Sequence, residues 1–171
     1  MLVRFTKRAE GRHRLTIVRD DGSVSQGQVI PGLGPDAIPH DLLHALVEKI
    51  LGFSRGVYGM VNTGLDIGQL LDPARKRMTT GEVELMHSEI VTTILQAEAA
   101  YEGIDETSFG DELRRRCAET GLAEREITDE QRRELRRLRE EYQRRWQGLG
   151  VGETIEVEIG RGGRAAGTPA A

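Results

Sequence analysis

The sequence carries one cysteine, Cys117, in 171 residues, so no disulfide can close within the chain and its stability has to come from packing. Arg114, Arg115 and Arg116 precede that thiol and would favour its thiolate, but no base accompanies it, so Cys117 reads as a packing residue. Lysine is nearly absent as well: Lys7, Lys49 and Lys76 are the only three among 24 basic residues, a bias common in chains from GC-rich genomes and silent about mechanism. No apolar run approaches the roughly 20 residues that a helical membrane span needs. Met1 to Thr16 lacks the apolar stretch and small-residue cleavage site of a secretion signal, so a cytoplasmic protein is expected. Nucleotide motifs are missing too, since the glycines from Gly52 to Gly68 match neither Gly-x-Gly-x-x-Gly nor a Walker loop. Ser54 and Ser88 have no Gly-x-Ser-x-Gly setting, which leaves no motif for a serine nucleophile.

What remains is an ordinary globular composition, 37% hydrophobic and 30% charged, at a length that suits one domain with one core. The net charge of −4 is unevenly spread. Arg4, Lys7, Arg8, Arg12, Arg14 and Arg19 make the N-terminal segment basic, whereas acidic residues crowd the stretch from Glu102 to Glu126. A basic sheet face beside acidic helices reads first as solvated surface and second as a self-association or charged-ligand surface.

Leu2–Lys7, Arg12–Arg19 and Val24–Ile30 alternate or are β-branched, and Glu10-Gly11 and Asp20-Asp21-Gly22-Ser23 separate them with turn residues, which predicts a three-stranded antiparallel meander. Pro31, Gly32, Gly34, Pro35 and Pro39 then impose a stiff loop. A first helix is expected from Pro39 to Leu51, stopped by Gly52, and a short buried helix within Gly56–Gly64. Thr80–Tyr101 places Val83, Met86, Ile90, Ile94, Ala97 and Tyr101 at helical spacing and is expected to be the central core helix. Two more helices follow, from Ser108 to about Glu119 ahead of Gly121, and from Asp129 to Gln147 behind a Thr128 cap. Gly152–Ile159 alternates strictly and reads as a strand returning to the sheet. The expected fold is therefore α+β: an antiparallel sheet of four strands packed on several helices in a single domain, 1–159, with 160–171 as a disordered tail.

The one pattern that can carry chemistry is His40-Asp41-Leu42-Leu43-His44. On a helix, His40 and His44 lie roughly 40° apart and can reach one metal ion, as in the zinc motif His-Glu-x-x-His. Asp41 stands where that motif has Glu, one methylene shorter. Zinc needs a third ligand; Glu48 lies about 12 Å along the axis from His40, too far, and reads as an orienting partner of His44. His87, on the apolar side of the next long helix, is the candidate third ligand. The competing reading is structural: boundary histidines commonly cap or hydrogen-bond to carboxylates, and a lone His87 is commonly a satisfied core residue.

The last long helix carries Arg132, Arg133, Arg136, Arg137, Arg139, Arg144 and Arg145, but Glu140 and Glu141 are interleaved at four-residue spacing, so a salt-bridged face is expected before a nucleic-acid surface. Leu135, Leu138, Tyr142, Trp146 and Leu149 form a seam for docking on the sheet or, second, for pairing with another chain.

Pro39-His40-Asp41-Leu42-Leu43-His44, Val47-Glu48, Gly56-Val57-Tyr58-Gly59, Trp146 and Gly152-Glu153-Thr154-Ile155-Glu156-Val157 resemble a group of small bacterial proteins with no established activity. The resemblance implies no substrate, cofactor or catalytic residue, and draws attention to His40, Asp41, His44 and Glu48 as a unit. Three functions are therefore expected in this order: a non-catalytic domain that binds a protein partner or a second copy of itself; a metal-dependent hydrolase with His40, His44 and His87 as zinc ligands and Asp41 or Glu48 orienting a bound water; and a nucleic-acid-binding protein.

Overall fold

A computed structural model describes residues 1–9, 13–32, 37–67, 83–100 and 108–160. The expected tail from 161 onward, the Glu10-Gly11 turn and both ends of the Thr80–Tyr101 segment lie outside the described residues. Four strands, β1 (Leu2–Thr6), β2 (Arg14–Val18), β3 (Val24–Gln28) and β4 (Thr154–Glu158), form one antiparallel sheet in the order β3-β2-β1-β4. The fold is α+β, as the alternation of the strands and the periodicity of the helices predict.

Register follows from that alternation, because a slip of one residue would turn every apolar side chain to solvent. Val3 stands between Ile17 and Val157, and Phe5 between Leu15 and Ile155, and all six are buried. The opposite face is polar: Arg4 pairs with Glu156 at 2.7 Å, and the Thr6 and Thr154 hydroxyls meet at 2.9 Å.

Helix α1 (His40–Leu51) is the most enclosed helix, with every residue from Asp41 to Glu48 buried. The long apolar helix α3 (Val83–Ala100) packs on one side of it and α5 (Asp129–Gly148) on another, while β4 lies against it. The short α2 (Val57–Asn62) packs on α1, and α4 (Ser108–Thr120) packs on α3. The central position thus belongs to α1 rather than α3, because α1 is buried around most of its circumference whereas α3 leaves Val83 and Glu89 exposed. Gly52 ends α1 in a left-handed conformation (φ 66°), its N–H bonding to the Glu48 carbonyl.

The Trp146 seam is buried inside the chain. Leu135, Leu138, Tyr142 and Trp146 are enclosed on a helix that packs on α1, and Trp146 meets Lys7 and, edge-on at 4.7 Å, His13, both beside the sheet strands. That contact leaves His13 only partly exposed. Thr128 opens α5 with a reciprocal capping box to Gln131. Five of the seven arginines of α5 are engaged: Arg132 with Asp129, Arg137 with Glu134 and Glu141, Arg145 with Glu141, and Arg136 and Arg139 with the Glu98 carboxylate of α3. Arg136 therefore reaches across to another helix instead of down its own to Glu140.

Candidate metal centre

The histidine pair lies where α1 faces α3, and two reciprocal hydrogen bonds fix how α1 enters that position. The His40 N–H donates to the Ile30 carbonyl at 3.1 Å, and the Ile30 N–H donates to Asp41 Oδ2 at 2.5 Å. Pro39, as N-cap, has no side-chain donor or acceptor, so the chain leaving β3 meets the first turn of the helix instead. Burial pushes the Asp41 carboxyl above its ordinary range, partly offset by the Ile30 amide and the two histidines.

On α1, His40 and His44 stack edge-on with ring centroids 4.6 Å apart. Helix α3 runs the opposite way, so its later residues meet His40 and its earlier ones His44. His40 Nδ1–H donates to Gln96 Oε1 at 3.0 Å, and His44 Nδ1 shares a 2.9 Å hydrogen bond with the Ser88 hydroxyl. With both Nδ1 atoms engaged, both Nε2 atoms are left to face the same group, the Glu89 carboxylate. Its Oε2 lies 2.9 Å from His44 Nε2 and 3.5 Å from His40 Nε2. Burial disfavours a charged His40, but hydrogen bonds to Glu89 and Gln96 and the charges of Glu89 and Asp41 outweigh it and raise its pKa. The same hydrogen bonds, from His40 first and His44 next, hold the Glu89 carboxyl well below the usual carboxylate range.

His40, His44 and Glu89 each offer one ligand atom within 4.8 Å of the others. Donor atoms bound to one ion at about 2.1 Å are separated by about 3.0 Å in octahedral and about 3.4 Å in tetrahedral geometry. Two of the three separations, 2.9 and 3.5 Å to Glu89 Oε2, match those values and all three ligand atoms lie within 4.8 Å of one another, so the cluster can close on an ion by side-chain movement. Glu89 is about half exposed, at 57%, which opens one side of the cluster to solvent. Ser88 adds a useful property: its hydroxyl can donate or accept, so His44 can move its proton to Nδ1 and present a bare Nε2 without losing the bond.

The chain Ser88, His44, Glu89 also has the connectivity of a hydrolase triad. Ser88 is fully buried, however, and a nucleophile must be reached by a substrate carbonyl, so this arrangement cannot act as one.

His87 is not brought to the pair. Its Nδ1 and Nε2 each lie 2.9 Å from a carbonyl oxygen, of Val83 and Ala123 respectively, so it ties α3 to the segment after α4. Two residues apart on a helix are about 200° apart around it, so α3 cannot present His87 and Glu89 to α1 together. Glu48 is also occupied elsewhere. Buried at 1% exposure, its Oε2 accepts from the Tyr58 N–H at 3.0 Å and the Gly59 N–H at 3.3 Å, fastening the start of α2. Burial pushes its carboxyl up to about 8 against the downward pull of those amides. Gly56 is what admits it: a Cβ there would lie 2.4 Å from the Glu48 carboxyl carbon. Tyr58 returns the contact, its hydroxyl donating to the Asp41 carbonyl at 2.7 Å.

Glu89, Ser88 and Gln96 escape a reading of the sequence alone. The signal they leave is a polar stripe, Ser88, Thr92 and Gln96 at four-residue intervals, in an otherwise apolar helix. Comparison with protein-family models, with characterised proteins and with solved structures returns no match, so the site is interpreted from its own geometry.

Proposed function

We propose that the protein binds one divalent transition-metal ion, zinc foremost, through Nε2 of His40, Nε2 of His44 and the carboxylate of Glu89. The observation that carries this reading is the convergence of the three ligand atoms with both Nδ1 atoms already held by α3. Buried polar side chains are costly unless they are satisfied, and the α1–α3 interface concentrates His44, Ser88, Thr92 and Gln96 in what could have been apolar packing. Two histidines and one carboxylate are a ligand set used by catalytic zinc and by other divalent metals, and three protein ligands leave a coordination position open. Bound there, such an ion acts as a Lewis acid and lowers the pKa of a bound water, the chemistry of hydrolysis. The residues of this chain then have defined parts: Gln96 and Ser88 orient the rings, Glu89 supplies charge at the solvent side, and Asp41 and Glu48 hold the ends of α1 in register with the loops.

The test is elemental analysis and calorimetric zinc titration of tag-free protein, beside the His40→Ala/His44→Ala double variant. One ion per chain in the parent and none in the folded variant is the expected result. Equal uptake by both, or none by either, overturns the reading.

A further inference from the structure

Along the α3 face that meets the histidines, the two outer members of the polar stripe have partners and the middle one has none. Ser88 bonds to His44 and Gln96 to His40, each through Nδ1. Thr92 lies one turn, about 6 Å, from each of them, and so between the two anchored rings along the helix; Glu89 is the preceding neighbour on the same side. Thr92 is fully buried and its Oγ1 has no hydrogen-bond partner among the described residues. A helical threonine ordinarily settles its hydroxyl on the carbonyl four residues back, and the adjacent Thr93 does so, donating to Glu89 O at 2.8 Å. A valine of the same shape would fill this position without stranding a hydroxyl.

We infer that Thr92 is the positioning residue for the open coordination position of the His40–His44–Glu89 centre, its Oγ1–H donating to a metal-bound water or hydroxide. The inference rests on the metal-binding reading above. Thr92 is out of contact with solvent in the metal-free chain, so a water comes beside it only with the side-chain movements that close the cluster on an ion, and a bulky substrate does not touch it. A hydroxyl that donates to hydroxide stabilises it over neutral water, so Thr92 lowers the pKa of the bound water. No covalent step is assigned to Thr92: it donates a hydrogen bond and keeps its proton.

The experiment uses the full chain loaded with cobalt(II), whose visible spectrum reports both binding and the ionisation of a bound water. Parent, Thr92→Val, Thr92→Ser and His44→Ala are compared, each with a circular-dichroism check of folding. The expected result is cobalt affinity in Thr92→Val within about threefold of the parent, with the spectral midpoint raised by about one pH unit, and a parent-like midpoint in Thr92→Ser. Spectral midpoints that coincide in parent and Thr92→Val, with cobalt bound in both, overturn the role of Thr92 and leave the metal centre standing. Failure of the parent to bind cobalt, or parent-like binding by His44→Ala, instead sinks the metal reading and this inference with it. The metal-free proteins give an independent check: Thr92→Val is expected to melt no lower than the parent. A melting temperature several degrees lower would mean that the hydroxyl has a structural partner, and would overturn the inference without any metal present.

Discussion

Glu48 makes the stability of the protein depend on pH in a direction opposite to that of a surface carboxylate. In the folded chain burial raises its pKa to about 8 from an ordinary 4.5, although the amides of Gly59, Tyr58 and Val57 pull the other way. A group that holds its proton more tightly when folded adds stability that is complete below pH 4.5, declines as the pH rises, and is lost above about 8. That interval, at about 1.4 kcal/mol per pH unit, sets a ceiling of roughly 5 kcal/mol. The realised loss is smaller, because α2 can release the carboxylate by local opening before the whole domain unfolds; a fall of about 2–3 kcal/mol between pH 5.5 and 8.5 is expected. Glu48→Gln retains an oxygen for the Tyr58 and Gly59 amides and cannot ionise. Urea denaturation of parent and variant across this range measures the effect, and every titrating group common to both cancels in the difference. The two should be nearly equal at the acid end and diverge toward high pH, where the parent becomes the less stable by about 2–3 kcal/mol. Parallel curves from pH 5 to 9 would refute the assignment of a buried, protonated Glu48.

Gly56→Ala should destabilise by about 3 kcal/mol, since the added methyl would lie 2.4 Å from a carboxyl carbon whose oxygen is held by two amides; the shift of the urea midpoint reads it. Removing the ring of His87 should lower the melting temperature by several degrees and leave zinc stoichiometry at the parent value, because its nitrogens serve the Val83 and Ala123 carbonyls; loss of zinc from a folded His87→Ala protein would contradict that separation. For Ser88→Ala, zinc affinity should fall about tenfold by calorimetry with little change in fold, as is usual when a ligand histidine loses its outer hydrogen bond.

The elements were legible because each carries its own signal: the alternation of Leu2–Thr6 and Thr154–Glu158, Gly52 after α1, and Thr128 with Gln131 before α5. The pairing of His40 with His44 was legible for the same reason, since four-residue spacing is local geometry. The third partner was not. The expectation looked to α3, the helix that meets the pair, and chose His87 two residues from Glu89, because residue type favours histidine and nothing local reveals which side of α3 meets α1. Asp41 and Glu48 were drawn toward the histidines by proximity in sequence, whereas in the fold their oxygens serve backbone amides of Ile30, Tyr58 and Gly59, partners that residue type does not announce. Similarly, Arg136 was expected to pair along its own helix and instead neutralises the Glu98 carboxylate of α3.

Two Nε2 atoms and one carboxylate are proposed to hold a single ion between α1 and α3. Crystals of the zinc-loaded protein, with anomalous diffraction recorded at the zinc edge, test this most directly. One strong anomalous peak is expected at about 2.1 Å from Nε2 of His40, Nε2 of His44 and a Glu89 oxygen. A peak at His13 or His87, or none between the two helices, would contradict the proposal.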